Sequence, residues 1–349
     1  MASNFLQQLA AAGARAPSAD NSQPWSLRWD GRELAIIHAV RHPAHNVFGA
    51  ASHATLLSVG AVVENLEAAL RANGLPAAWR WGDATGQPYA AVPIGSMPER
   101  FTAPEGALQR HTNRLPFLPR ALEPAVLATL EALREGGNRL TLLQDGARRA
   151  RLAQLVRVCS EARFCNQRLH EWLIGSLRDT PEEVALGDGL DVRTLGLPPG
   201  GRHMLRFIAD WRRLAKLNNL GAYKFLARTE VGLLSAASGL LCVSGPAAPR
   251  DVIDAGRLLT RAWTALNQQG VAVHPYYVVS DQINRLHDGT LAAGFESSIG
   301  EAERDMRALL GLDPDQVLHM VLRIGYPKAQ AVRSRRLPLA TVFEEVGAT

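Results

Sequence analysis

Apolar and polar positions change period several times along the chain, and each change marks an element. Asn4 to Ala14 carries apolar residues at helical spacing, and Pro17 cannot continue that helix. Ser26 to Trp29 and Leu34 to His38 alternate as strands do. Ala51 to Asn73 predicts a long helix, apolar nearly all round in its first half and therefore buried. Gly74 stops it, and Ala77 to Trp81 resumes as a strand. Leu122 to Glu135 reads as a helix, Arg139 to Gln144 as a strand and Ala147 to Leu173 as a long helix. Asp251 to Gln269 is another helix, stopped by Gly270 and followed by a strand over Val271 to Val279.

Gly60, Ala69 and Gly74 punctuate the first long helix, and Gly256, Ala265 and Gly270 punctuate the later one at identical spacing. A strand follows in both cases, which predicts duplication of one unit. Asp179 to Gly201 holds Gly-Asp-Gly and Gly-Leu-Pro-Pro-Gly-Gly without an apolar period, so a lid or insertion is expected at about 175–225. Beyond it, Met204, Leu205, Phe207, Ile208, Trp211 and Leu214 form an apolar face opposite Arg206, Arg212, Arg213 and Lys216. A basic amphipathic helix of this kind suits its own core or a membrane surface. Docking on the core is the expected use.

A chain of 349 residues, 47% hydrophobic and 20% charged, is globular and has a substantial core. The net charge of +5 comes from scattered Lys and Arg rather than blocks, which suits an anionic small ligand and gives no nucleic-acid signature. Three cysteines (Cys159, Cys165, Cys242) form no CxxC pair, so neither a disulfide framework nor a zinc site is expected, and Cys242 reads as core. His38, His42 and His45 lack a nearby Cys or carboxylate, so no metal is expected. Trp79 and Trp81 alternate and read as edge-strand packing. Met1 to Ala12 lacks the charge of a secretion signal and no stretch is long enough to span a bilayer, so a cytoplasmic protein is expected, with no membrane partner. Neither Gly-x-Gly-x-x-Gly nor Gly-x-Ser-x-Gly is present, which argues against a Rossmann nicotinamide site and a serine hydrolase.

Candidate chemistry gathers in three stretches. Arg15-Ala-Pro-Ser-Ala-Asp-Asn-Ser-Gln-Pro-Trp25 is a helix-to-strand junction crowded with short donors and acceptors, suited to holding a planar polar ligand by its edge. In Arg110-His-Thr-Asn-Arg-Leu-Pro-Phe117 an extended run would set Arg110, Thr112 and Arg114 on one side, where two guanidiniums and a hydroxyl can hold a phosphate. Arg333-Ser-Arg-Arg-Leu-Pro338 offers a further basic set.

These three stretches together resemble the signature of the nitroreductase superfamily of FMN enzymes. Relative to ordinary members the order of the motifs is reversed, as in the Acg-type branch, which the chain resembles from about residue 5 to 345. Ordinary members are homodimers with flavin at the interface, so the resemblance implies a fused dimer. The fold would be α+β, nitroreductase-like and internally duplicated, with halves 1–100 and 101–349 and a lid-like insertion at 175–225. It also implies FMN held by Pro17, Ser18, Asn21, Gln23, Arg110, His111, Thr112, Arg114, Arg335 and Arg336, with Pro275, Tyr276, Tyr277 and Val278 along the flavin N5 edge. Tyr276 and Tyr277 stand where many relatives have an acidic residue. For the donor at N1, Arg28 and Arg41 are the candidates. One flavin per chain follows, because each motif occurs once. The implied activity is NADH- or NADPH-dependent reduction of nitroaromatics, quinones or a related small acceptor, the chemistry being the flavin's. Alternatives within the resemblance are a flavin-dependent dehydrogenase or desaturase and a non-catalytic FMN-sequestering protein. The implied partner is a small-molecule substrate, in a pseudo-dimeric monomer whose further pairing stays open.

Overall fold

Along Trp25–Trp29 the pleat turns Trp25, Leu27 and Trp29 into the core and leaves Arg28 outside. That strand pairs antiparallel with Glu33–His38, in register from Trp25 opposite His38 to Trp29 opposite Leu34. The computed structural model describes residues 4–41 and 46–346. Around this hairpin it builds a sheet in the order Phe343–Glu345, Trp25–Trp29, Glu33–His38, Ala90–Pro93, Arg80–Trp81. A second sheet has the order Arg139–Leu143, Gly239–Pro246, Gln316–Gly325, Ala272–Tyr276, antiparallel throughout.

Both sheets repeat one connectivity. Helix Asn4–Gly13, two paired strands, helix His53–Ala72, an edge strand and a strand entering beside it make the first. Helix Pro124–Ala132, two paired strands, helix Pro249–Gln268, an edge strand and a strand entering beside it make the second. The architecture is therefore α+β and internally repeated. The C-terminal strand crosses back to run parallel to Trp25–Trp29, tying the end of the chain to the first sheet.

The two long helices meet through the glycines that the repeat singled out. A Cβ on Gly60 would lie 1.9 Å from the Ile253 carbonyl oxygen, and one on Gly256 would lie 2.1 Å from that of Leu57. Glycine inside a helix costs about 1 kcal/mol relative to alanine, and here it permits backbone-to-backbone contact. Both helices also end alike. Gly74 (φ 69°) and Gly270 (φ 73°) are left-handed, and the next amides, Leu75 and Val271, each donate to a carbonyl five residues back at 2.9 Å.

Several elements differ from the sequence expectation. The strand expected over 271–279 ends at Tyr276, and Val278 opens helix Val278–His287. The helix expected over 147–173 breaks where Asn166 caps a second one, its Oδ1 accepting from the Leu169 amide at 3.2 Å. The strand at 77–81 is only Arg80–Trp81, and Trp79 and Trp81 stack on each other. The 175–225 insertion is the centre of a longer one, because helices run from Gly146 to Ser235 between two neighbouring strands of the second sheet. Arg110 to Arg114 is loop rather than strand, its Asn113 amide donating to the Val273 carbonyl at 2.8 Å. The amphipathic face splits into helices Gly201–Ile208 and Trp211–Asn218, capped between by Asp210. Leu214 docks on the core, but Met204 and Phe207 remain exposed. Cys242 is fully buried, and burial pushes its thiol up to about 12, so it is an inert core residue.

Candidate functional site

The junction after the first helix turns sharply because three non-glycine residues, Asp20 (φ 47°), Asn21 (φ 58°) and Gln23 (φ 50°), adopt left-handed backbone. Ser18 Oγ accepts from the Gln23 amide at 2.9 Å, and Pro17 lies half-buried beside it. Asn21 Nδ2 faces the carbonyls of Gly187 (3.3 Å), Gly189 (2.9 Å) and Arg335 (3.1 Å), while its Oδ1 accepts from Arg336 Nη1 at 2.9 Å. Gln23 Nε2 donates to Gly187 O at 3.0 Å, and its Oε1 accepts from the Leu337 amide at 3.0 Å. The two amides expected to grip a ligand thus bind backbone of the insertion and of the C-terminal tail. Gly187 and Gly189 supply that close approach; both have positive φ, and a Cβ on Gly187 would lie 2.1 Å from the Arg336 carbonyl oxygen.

Arginines from opposite ends of the sequence converge on the same turn. Arg110 Nη2 donates to the Arg15 carbonyl at 2.8 Å and its guanidinium stacks on Trp263 at 4.6 Å, while its buried Nε has no partner. Arg336 reaches the carbonyls of Ala16 (3.2 Å) and Arg15 (3.3 Å). Burial first, and then the like charges of Arg336 and Arg15, hold Arg110 well below the usual arginine range. Burial, with Arg15 adding to it, lowers Arg336 to about 9. Thr112 is half-buried between the two motif arginines. His111 acts through its backbone, its amide donating to Asn267 Oδ1 and its carbonyl accepting from Trp263 Nε1. Arg335 is exposed and contributes its carbonyl.

Arg114 points into a second polar cluster. Its contacts to Thr194 are long, 3.4 Å to both the carbonyl and Oγ1, and the Asp20 carboxyl and the Tyr276 phenol lie near it. Asp20 accepts from Trp172 Nε1 at 2.9 Å, yet burial raises its pKa. Arg163 pairs with Glu230 at 2.8 Å close by. The rings of His274 and Tyr276 lie 4.4 Å apart. Burial, then Arg114, Arg323 and Arg163, hold His274 well below the usual histidine range, and its Nδ1 is buried without a partner. Asp20 stands inside the opening motif. Arg163, Trp172, Glu230 and His274 carried no sequence signal, because helices and a strand distant in the chain bring them together.

Of the remaining candidates, Pro275 is half-buried, Val278 is buried, and Tyr277 faces a cleft of about 360 Å³ lined also by Phe48, His53, Asp281 and Arg285. His53 Nε2 and His319 Nδ1 lie 2.9 Å apart, and burial lowers them to about 4 and about 3. Arg28 pairs with Glu344, and Arg41 donates to the carbonyls of Trp25 and Thr341 and, at 3.4 Å, to that of Gln23 in the opening turn. His38 meets Tyr89 edge-on, while His42 and His45 lie outside the described residues. Among the described residues no helix is long and apolar enough to cross a membrane.

No family model matches the chain. It is 27% identical over 340 residues to an uncharacterized protein of Mycobacterium tuberculosis (strain CDC 1551 / Oshkosh), covering 94% of this chain and 46% of that one. The chain thus spans about half the length of the curated relative it matches. Solved structures similar to it include an FMN-dependent nitroreductase from Mycobacterium smegmatis in complex with NADPH (17% identity, TM-score 0.40, covering 68% of this chain and 96% of that one). Another is the FMN- and NADPH-dependent nitroreductase of a Sphingopyxis strain (20%, TM-score 0.38, 70% and 98%). A third is oxidized iodotyrosine deiodinase bound to FMN and 3-iodo-L-tyrosine (15%, TM-score 0.35, 67% and 94%). The α+β architecture rests on the strands and helices of the chain itself.

Proposed function

We propose that this chain binds FMN and is a nitroreductase-type oxidoreductase whose single site lies between two fused, repeated halves, about 1–100 and 101–349. The observation that carries the reading is the convergence of Arg15, Arg110 and Arg336 on one turn. Buried guanidiniums that depress one another's pKa favour an anion among them, and the partnerless Nε of Arg110 leaves a donor for it. A phosphate fits this set. Arg110, Arg336 and Thr112 would hold the phosphate, with Arg114, His274 and Tyr276 facing the ring system. When bound, FMN supplies a centre that takes hydride from NADH or NADPH and passes electrons to a nitro compound, a quinone or a related acceptor.

The protein's own contribution is electrostatic and steric. Arg114 offers a cation in surroundings where water competes little, and fixed donors of that kind are typically worth a few kcal/mol each. Trp263 fixes the plane of Arg110, and the Gly187–Gly189 strap shields the turn from solvent. That strap also supports a second reading, FMN sequestration, because the Asn21 and Gln23 amides are engaged by the insertion.

Purified protein is expected to be yellow or to take up FMN, and to bleach on anaerobic addition of NADPH. Arg110→Gln is expected to weaken FMN binding at least tenfold while the fold persists. Yellow protein that NADPH does not bleach would select sequestration. Protein that stays colourless with added FMN would overturn both readings.

A further inference from the structure

Half of the ten large hydrophobic residues exposed among the described ones fall in one short stretch: Leu197, Met204, Phe207, Leu220 and Phe225. Helix Gly201–Ile208 explains how. Gly201, Leu205 and Ile208 share a face and are half-buried, so that face lies on the protein body. Arg202 and Arg206, one turn apart on the flank, are both pinned to Asp179, at 2.6 and 2.5 Å. That anchoring fixes the helix rotation and leaves Met204 and Phe207 outward, 54% and 49% exposed. Leu220 at the next turn (86%) and Phe225 on helix Ala222–Ser235 (70%) are more exposed still.

Charge says what covers them. Residues 201–230 contain seven basic side chains against two acidic ones, a net of +5 equal to that of the whole chain. The remainder is balanced, so the positive field is concentrated where the apolar side chains protrude. Some cations are locally engaged, Arg202 and Arg206 by Asp179 and Arg213 by Asp210, while Arg212, Lys216, Lys224 and Arg228 make no ion pair among the described residues. A second copy would bring the same excess charge against this one, which opposes self-association. The apolar side chains stand on separate helices and at a turn rather than lining a groove, so a deformable partner suits them better than one of fixed shape. Basic residues interleaved with Phe, Met and Leu match the interfacial zone of an anionic bilayer.

We propose that the helical insertion, through Met204, Phe207, Leu220 and Phe225 with Arg212, Lys216, Lys224 and Arg228, is a peripheral docking surface for an anionic lipid membrane. It rests on the surface alone and stands whether or not the chain binds flavin. The surface lies in the interface and crosses nothing.

The test is co-sedimentation of the purified full chain with vesicles of phosphatidylcholine alone or with about 25% phosphatidylglycerol, at low salt and at about 1 M salt, where screening acts within about 3 Å. Binding is expected to the anionic vesicles, about tenfold weaker to neutral ones and lost at high salt. Phe207→Ser combined with Phe225→Ser is expected to weaken it about tenfold with the circular dichroism unchanged, since both side chains are exposed. Hydrogen exchange should slow on vesicle binding within 201–230. Equal binding to neutral and anionic vesicles, or none to either, would overturn the proposal. So would a double serine variant that binds as before and is displaced by poly-glutamate, which would indicate an acidic protein partner. A dimer in solution whose interface protects 201–230 would assign the surface to a second copy instead.

Discussion

Replacing Asn21 tests the clamp that joins the opening turn, the insertion and the C-terminal tail. Its amide orientation is fixed by its neighbours, since Nδ2 faces three carbonyls and Oδ1 faces a guanidinium. Two amide hydrogens serve those carbonyls, which amounts to two neutral hydrogen bonds of about 1 kcal/mol each. The bond from Arg336 to Oδ1 is charge-assisted and contributes about 1.5–3 kcal/mol. Asn21→Gly, which tolerates the positive φ, is therefore expected to cost about 3–5 kcal/mol. Asn21→Ala adds about 1–2 kcal/mol, because a Cβ must then occupy the left-handed region that glycine enters without that cost. Urea unfolding measures both differences, and the Gly189 amide, which donates to the Asn21 carbonyl at 3.3 Å, should lose exchange protection in each variant. A glycine variant within about 0.5 kcal/mol of the parent would refute the clamp, that being the usual effect of an inconsequential surface change. Equal costs for glycine and alanine would refute the strained turn alone.

Other outcomes follow from the same structure. Gly256→Ala should destabilise by several kcal/mol or abolish soluble expression, because its Cβ meets backbone rather than a movable side chain, whereas Gly146→Ala, with open space around it, should be neutral or stabilising in thermal unfolding. Burial holds His53 and His319 near 4 and 3, below the usual 6.5, so the unfolded chain takes up protons that the folded one refuses. Stability should accordingly fall as pH drops from about 6.5 toward 4, by up to about 1.4 kcal/mol per pH unit for each histidine, and a flat urea-midpoint profile between pH 6.5 and 5 would contradict the buried pair. Asp188→Asn, breaking the buried pair with Arg178 at 2.7 Å, should cost about 3–5 kcal/mol and raise protease sensitivity within the insertion.

The sequence by itself determined the elements whose periods are long or whose punctuation is sharp. Gly60 and Gly256 were legible as a repeat because a helix admits glycine mid-length only for a local reason, and the spacing to Gly74 and Gly270 showed that the reason recurs. The arginine stretches around 110 and 336 and the polar turn at 15–25 were likewise legible, since their residue types carry their chemistry regardless of context. Tertiary structure alone decided what those groups touch. The Asn21 and Gln23 amides look alike in sequence whether they meet a ligand or the carbonyls of Gly187 and Arg335, because a backbone acceptor is present at every position and sequence cannot say which one arrives. Arg163, Glu230 and His274 join Arg114 only because the insertion folds back over the second sheet. Met204 and Phe207 have the periodicity of buried residues, yet two ion pairs to Asp179 set the rotation of their helix and turn them outward. Periodicity fixes which residues share a face; long-range contacts choose the direction in which that face looks.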